Sequence, residues 1–150
     1  GLPPELLQLE LTEGIFMQDA DKAINRILSL KALGIAVAVD DFGTGYSSLA
    51  HLKRFPLDCL KIDRYFVKDL QEARINEAFI DSILALCRGL HLDSVAEGVE
   101  NMQQLEQLRR LGCQAVQGDL VSCPVPAAEV PGLLARDWLS ELQRTERASA

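Results

Sequence analysis

Short apolar runs alternate with longer amphipathic stretches along the whole chain. The clearest run is Ile35-Ala36-Val37-Ala38-Val39, rich in β-branched residues and without polar alternation. That is the pattern of a strand buried on both faces, as in parallel sheets. Leu6 to Thr12, Cys59-Leu60-Lys61-Ile62, Ser94-Val95-Ala96 and Ala115-Val116 read as four further strands. Between them, apolar residues recur at helical spacing: Ile24, Ile27 and Leu28; Leu49 and Leu52; Ile75, Phe79, Ile83, Leu86 and Leu90; Leu105, Leu108 and Leu111. A last amphipathic helix opens at Pro126-Ala127-Ala128-Glu129 and carries Leu133, Leu134 and Trp138. Asp19 or Asp21 suits the N-cap of the first helix, and Gly34 its end. Ser47 or Ser48 suits the cap of the second, which Pro56 terminates. Asn101 with Gln104 has the form of a capping box, and Gly112 closes that helix. Residues 143–150 form a polar tail expected to fray.

Five β-α repeats predict an α/β fold with a parallel sheet and helical crossovers. A closed barrel of this kind needs eight strands and roughly 250 residues. At 150 residues the chain supplies about five. It is therefore either an open doubly wound sheet or the later part of a TIM-like (β/α) barrel whose first strands are missing. No low-complexity linker divides it, and one domain over residues 1–142 is expected. The opening Gly1-Leu2-Pro3-Pro4, without an initiator Met, reads as a piece of something longer. The net charge of -7 argues against DNA or RNA polymers as partners, so an anionic ligand must be held by local cations or metals. No apolar run reaches the ~18 residues of a membrane span. The four cysteines, Cys59, Cys87, Cys113 and Cys123, lack CxxC spacing and read as buried or free thiols rather than disulfides or zinc ligands. A reducing, cytoplasmic setting follows.

Each strand ends on a polar residue able to face a common site: Glu10, Asp40 with Asp41, Lys61, Glu97 and Gln117. One such residue alone is ordinarily a solvated strand end. The set is different, because Lys61 and Glu97 flank apolar strands, and burying their charges is costly unless they pair or bind metal. Chemistry in parallel α/β folds sits at the carboxyl ends of strands. Paired carboxylates suit hard divalent cations such as Mg²⁺ or Mn²⁺. Together with an ammonium group they make a parts list for metal-assisted phosphodiester hydrolysis.

Leu9-Glu10-Leu11-Thr12-Glu13, Asp40-Asp41-Phe42-Gly43-Thr44-Gly45-Tyr46-Ser47-Ser48-Leu49, Leu60-Lys61-Ile62-Asp63-Arg64, Val95-Ala96-Glu97-Gly98-Val99-Glu100 and Gln117-Gly118 occur in this order. Together they resemble the EAL family of cyclic di-GMP phosphodiesterases, from Gly1 to about Leu134. The resemblance implies a modified TIM barrel, two Mg²⁺ or Mn²⁺ ions, and cleavage of cyclic di-GMP to linear pGpG. It implies that Glu10 and Asp41 bind metal and that Asp40 bridges the two ions. Lys61 would contact the water or the scissile phosphate, and Glu97 would orient the water and act as its base. Glu13 would hold the loop after Asp41; Glu100 and Gln117 would complete the polar floor. Gly43 and Gly45 would let the loop turn around Thr44, and a plain tight turn explains them equally. Phe42 and Tyr46 pack or contact guanine, with packing the simpler reading. Asp63 and Arg64 support the substrate or pair with each other.

The resemblance also implies that the Glu-Ala-Leu-type strand, an Asn metal ligand and an arginine motif lie ahead of Gly1. The chain taken alone is then expected to be inactive or nearly so. Asp119, Val121 and Cys123 stand where the family usually has two aromatics and an arginine. His51 and His91 read as ordinary polar residues. The expected parent is a cytoplasmic or membrane-anchored protein with upstream sensory or GGDEF-type domains and possible dimerisation through EAL domains. The competing reading is a module that binds cyclic di-GMP without cleaving it. Damaged metal motifs would mark such a module, whereas Asp40, Asp41, Lys61 and Glu97 are all present.

Overall fold

The computed structural model describes residues 1–12, 14, 20–43, 52–70 and 74–138. Expectations for Glu13, Thr44, Gly45, Tyr46, His51, the Asp19 cap, the Ser47 or Ser48 cap and the 143–150 tail lie outside these residues.

Strands β1 (Gln8–Thr12), β2 (Ala36–Phe42), β3 (Cys59–Ile62), β4 (Asp93–Glu97) and β5 (Ala115–Gln117) form one sheet in the order β1-β2-β3-β4-β5. Every neighbouring pair is parallel. Sequence neighbours are thus spatial neighbours throughout, as in the wall of a (β/α) barrel. A doubly wound sheet reverses its order at a switch point. The structure thereby separates the two architectures that the sequence left open.

Side chains alternate across the sheet. Val37, Val39, Leu60, Ile62 and Ala96 enter the apolar core with Ile27, Ile80, Ile83, Leu84, Cys87 and Leu108. The helices that carry the latter are α1 (Ala20–Ala32), α3 (Arg74–Leu90) and α4 (Met102–Leu111). Lys61 and Glu97 alternate with the core positions and so belong to the opposite face of the sheet.

Three expectations are corrected. The buried stripe of α3 is Ile80, Ile83, Leu84 and Cys87, whereas Ile75 is 77% and Phe79 37% exposed. Apolar residues occur in adjacent pairs along this helix, so periodicity alone leaves its phase open and the sheet selects it. A short helix α2 (Arg64–Lys68) follows β3 directly, capped by the Asp63 carboxylate, which accepts from Tyr65 N at 2.7 Å. The last helix, α5 (Val130–Leu134), is one turn long and buries nothing. Trp138 lies beyond it, donating from Nε1 to Leu133 O at 3.0 Å beneath the Arg136 guanidinium.

The capping box holds. Gln104 N donates to Asn101 Oδ1 at 2.9 Å, and Gln104 Oε1 accepts from Asn101 N. The same amide, 3% exposed, also accepts from Glu100 N and donates to Val67 O and Lys68 O. It therefore ties the loop after β4 to α2. Gln104→Leu strands these buried groups and is expected to cost about 1–3 kcal/mol in urea unfolding; an unchanged midpoint would contradict this.

All four cysteines are free, Cys59 and Cys87 buried. Burial pushes both thiols up to about 11, so they stay protonated near neutral pH. No described helix is long and apolar enough to cross a membrane.

Candidate metal centre

Lys61 leaves the middle of the central strand and is 4% exposed. Its Nζ lies 2.7 Å from Glu10 Oε1 on β1 and 2.6 Å from Glu97 Oε1 on β4. Asp40 Oδ1 on β2 is 3.4 Å away. One ammonium thus gathers carboxylates from three other strands. Burial alone would pull its pKa down. The hydrogen bonds to Glu10 and Glu97, and the attraction of Glu97 and Asp40, outweigh burial and hold it above the ordinary lysine range.

Asp40 and Asp41 are adjacent, and in a regular strand they would point to opposite faces. They do not, because the register between β2 and β3 shifts. Val39 pairs with Leu60, but Phe42 pairs with Ile62, so β2 carries one residue too many between them. This bulge includes Asp41, which takes the left-handed φ of 54°. Asp is among the few residues that enter that region at modest cost. The result is one oxygen each from Asp40, Asp41 and Glu97, all within 4.8 Å of one another.

The donor set fits a hard divalent cation: three carboxylates at a spacing that one ion or a close pair can bridge. Asp40 Oδ1 strengthens the fit, being buried without a hydrogen-bond donor. Asp41 adds a second sign of crowded negative charge. A hydrogen bond with the Asp63 carboxyl, then burial, then the charges of Asp40, Asp63 and Glu97 hold its carboxyl above the usual carboxylate range. Its proton is therefore bound more tightly in the folded chain than in the unfolded one. Stability from this source is present at low pH and is lost as pH rises through the folded-state value. Asp41→Asn is accordingly expected to raise the melting temperature of the metal-free chain at pH 7. The gain should shrink toward pH 4, and Mn²⁺ binding should weaken. A lowered melting temperature at pH 7 in EDTA would refute this.

Other expected site residues fall around this cluster. Gln117 ends β5 in register with Glu97 and is exposed. Glu100 is exposed and lies with Asp63, Arg64, Tyr65, Lys68 and Gly98 around a cleft of about 550 Å³. Phe42 packs in the core at 7% exposure, so packing and not base contact is its role here. Gly43 has φ 100° and needs glycine on that ground. Gly98 needs it for a second reason: a Cβ there would meet Arg64 Cβ at 2.5 Å. Sequence reasoning did not foresee the Asp41–Asp63 contact or the bulge. The Asp63 cap was not foreseen either, because the helix it opens is only five residues long.

Sheet order and site together define an α/β wall of the (β/α) barrel type, with an acidic cluster that could hold a metal ion toward the carboxyl ends of its strands. The chain belongs to the EAL domain family, whose model matches residues 1–124. It is 46% identical over 134 residues to the cyclic di-GMP phosphodiesterase NbdA of Pseudomonas aeruginosa, covering 89% of this chain and 17% of that protein. Among solved structures it resembles the MucR phosphodiesterase of the same species in its cyclic di-GMP complex. That likeness has a TM-score of 0.81 at 47% identity, over 86% of this chain and 52% of the other. It also resembles Klebsiella pneumoniae BlrP1 in a manganese and cyclic di-GMP complex, with a TM-score of 0.73 at 34% identity, over 79% of this chain and 30% of that one. The chain thus spans about half of the MucR structure and under a fifth of NbdA.

Proposed function

We propose that this chain is the C-terminal part, residues 1–142, of a domain that hydrolyses cyclic di-GMP to linear pGpG with two Mg²⁺ or Mn²⁺ ions. The observation that carries this is the convergence of Asp40, Asp41 and Glu97 beside the Lys61 ammonium. The named activity of NbdA and the ligands of the MucR and BlrP1 complexes support it. Asp40, Asp41 and Glu10 would hold the ions, which when bound supply positive charge against the phosphodiester and a nucleophile competent near neutral pH.

The chain's own residues do the rest. Lys61 stays charged at working pH and offers N–H donors where negative charge develops on phosphate oxygens. Glu97 gives one oxygen to Lys61, which fixes its carboxylate plane and leaves the other oxygen to orient water and accept its proton. The water oxygen bonds to phosphorus, the P–O3′ bond breaks, and the proton ends on the departing 3′ oxygen. Asp63 steadies Asp41, while Gln117, Glu100 and Arg64 border the cluster and the adjoining cleft. Cytoplasmic placement fits four free thiols. Fusion to sensory or GGDEF-type domains and pairing through EAL domains belong to the same reading.

The test is calorimetry and turnover with cyclic di-GMP and Mn²⁺. The 150-residue chain is expected to bind Mn²⁺ but to turn over slowly. Glu10, Asp40, Asp41 and Glu97 cannot fill the roughly octahedral shells of two ions, and Lys61 already engages three of them. Absence of Mn²⁺ binding would refute the metal centre. Binding of cyclic di-GMP by a fully active-length domain without hydrolysis would replace the enzyme with a sensor.

A further inference from the structure

The bulge that brings Asp41 into the cluster must be held in place, and the structure shows by what. Beyond Asp41 the chain is fixed at two consecutive residues. Phe42 anchors in the core opposite Ile62. Gly43 then stands beside two aromatic rings that leave no room for a side chain. A Cβ on Gly43 would stand 3.0 Å from Phe66 Cε2 and 3.0 Å from Phe79 Cε1. Those rings stack on each other, with centroids 4.3 Å apart and planes 26° from parallel. Phe66 comes from α2 and Phe79 from α3, so two helices meet the strand end at this one point.

Phe79 is otherwise out of place. It lies off the buried stripe of α3 and is 37% exposed, so it adds little to the apolar core. Its ring stacks on Phe66 and borders the space that a side chain on Gly43 would need. Asp41 sits in a left-handed conformation that Asp adopts at modest cost, so its own preference does not fix the bulge and its neighbours must. Asp63 contacts Asp41 itself, Phe42 anchors the next residue in the core, and the stacked rings crowd the backbone one residue further on.

We propose that the Phe66–Phe79 stack is a positioning element for the metal centre. It braces Gly43, keeps the β2 bulge in register, and so aims the Asp41 carboxylate at Asp40 and Glu97. The inference rests on the proposed metal centre and adds two residues that touch neither ion nor substrate. Removing a group hydrogen-bonded to a metal ligand typically weakens metal affinity by about 10–100-fold, and a backbone brace one step further out is expected at the low end of that range.

The test is Mn²⁺ affinity of the full chain, by calorimetry and by the electron paramagnetic resonance signal of free Mn²⁺. It compares wild type, Phe79→Ala, Phe79→Tyr, Asp41→Asn and the Phe79→Ala/Asp41→Asn double variant, each with circular dichroism as a check on folding. Phe79→Ala is expected to weaken binding about tenfold with the circular dichroism unchanged. Phe79→Tyr, which keeps the ring, should bind as wild type. In the Asp41→Asn background, Phe79→Ala should add less than about twofold, because the brace acts through Asp41. A purely structural role would leave the two effects independent. Wild type that binds no Mn²⁺ refutes the metal centre itself. Wild type that binds, with Phe79→Ala within twofold of it or equally harmful in both backgrounds, refutes the brace alone. Should Phe79→Ala unfold, Phe79→Leu takes its place. Unfolding of that variant too would overturn the proposal, since it would show the ring serving overall stability.

Discussion

Asp40→Asn is expected to lower cyclic di-GMP turnover by more than about 100-fold, since loss of even an outer partner of a metal site costs about 10–100-fold. The substitution keeps the shape of the side chain and removes its charge. Asp40 is the residue whose loss should be felt most. It shares the three-carboxylate cluster with Asp41 and Glu97, and it also faces Lys61. Its Oδ1 is buried without a hydrogen-bond donor, and among the described residues its ion-pair partner is the Lys61 ammonium 3.4 Å away. Turnover is measured at saturating Mn²⁺ on a domain long enough to be active, and Mn²⁺ affinity on this chain. Both should fall. Asp81→Asn, on the exposed side of α3, serves as the control for charge change alone. If Asp40→Asn retained a third of wild-type turnover, Asp40 would not bridge the ions and the site would need redrawing.

Lys61→Met is expected to destabilise the metal-free chain by about 1–3 kcal/mol, less than for a fully buried pair because water still reaches the three carboxylates left behind. The methionine fits the volume of the lysine stem, so packing loss is small. What remains is Glu10, Asp40 and Glu97 facing one another without the cation that joins them. A divalent cation binds the folded form and can supply the missing charge. Mn²⁺ at 100 times its dissociation constant should restore about 2.7 kcal/mol. The variant should therefore show a larger Mn²⁺-induced rise in melting temperature than wild type, together with lost turnover.

The pH dependence follows from the raised Lys61 pKa. Stability from the raised value is fully present below the unfolded lysine pKa near 10.4 and is lost as pH climbs through the higher folded value. Wild type should thus be insensitive to this group from pH 6 to 9. Its advantage over Lys61→Met should hold across that window and fade only in strong alkali. A Lys61→Met chain as stable as wild type in EDTA would show that the lysine is a bystander.

Much of this arrangement was legible along the chain. All five predicted strands are present, and β3 has the predicted limits. The Asn101–Gln104 box and the Gly34 and Gly112 stops are where local chemistry puts them. The EAL resemblance agreed with the family match over residues 1–124. The phase of α3 was not legible, because Phe79 and Ile80 are both apolar and only one can face the sheet. Nor was α2, whose five residues are too few for a periodic signal.

By itself the sequence determined which carboxylates and which lysine the strands carry in their carboxyl-terminal halves, although only Glu97 and Gln117 are last in their strands. These depend on caps, glycines and side-chain periods that act within a few residues. Only the tertiary structure decided that Asp40 and Asp41 face the same way, and that Lys61 reaches Glu10 and Glu97 across its neighbours. Side-chain direction at a bulge is set by the register between two strands and by what packs beyond it. Both are fixed by residues distant along the chain, and no local pattern carries them.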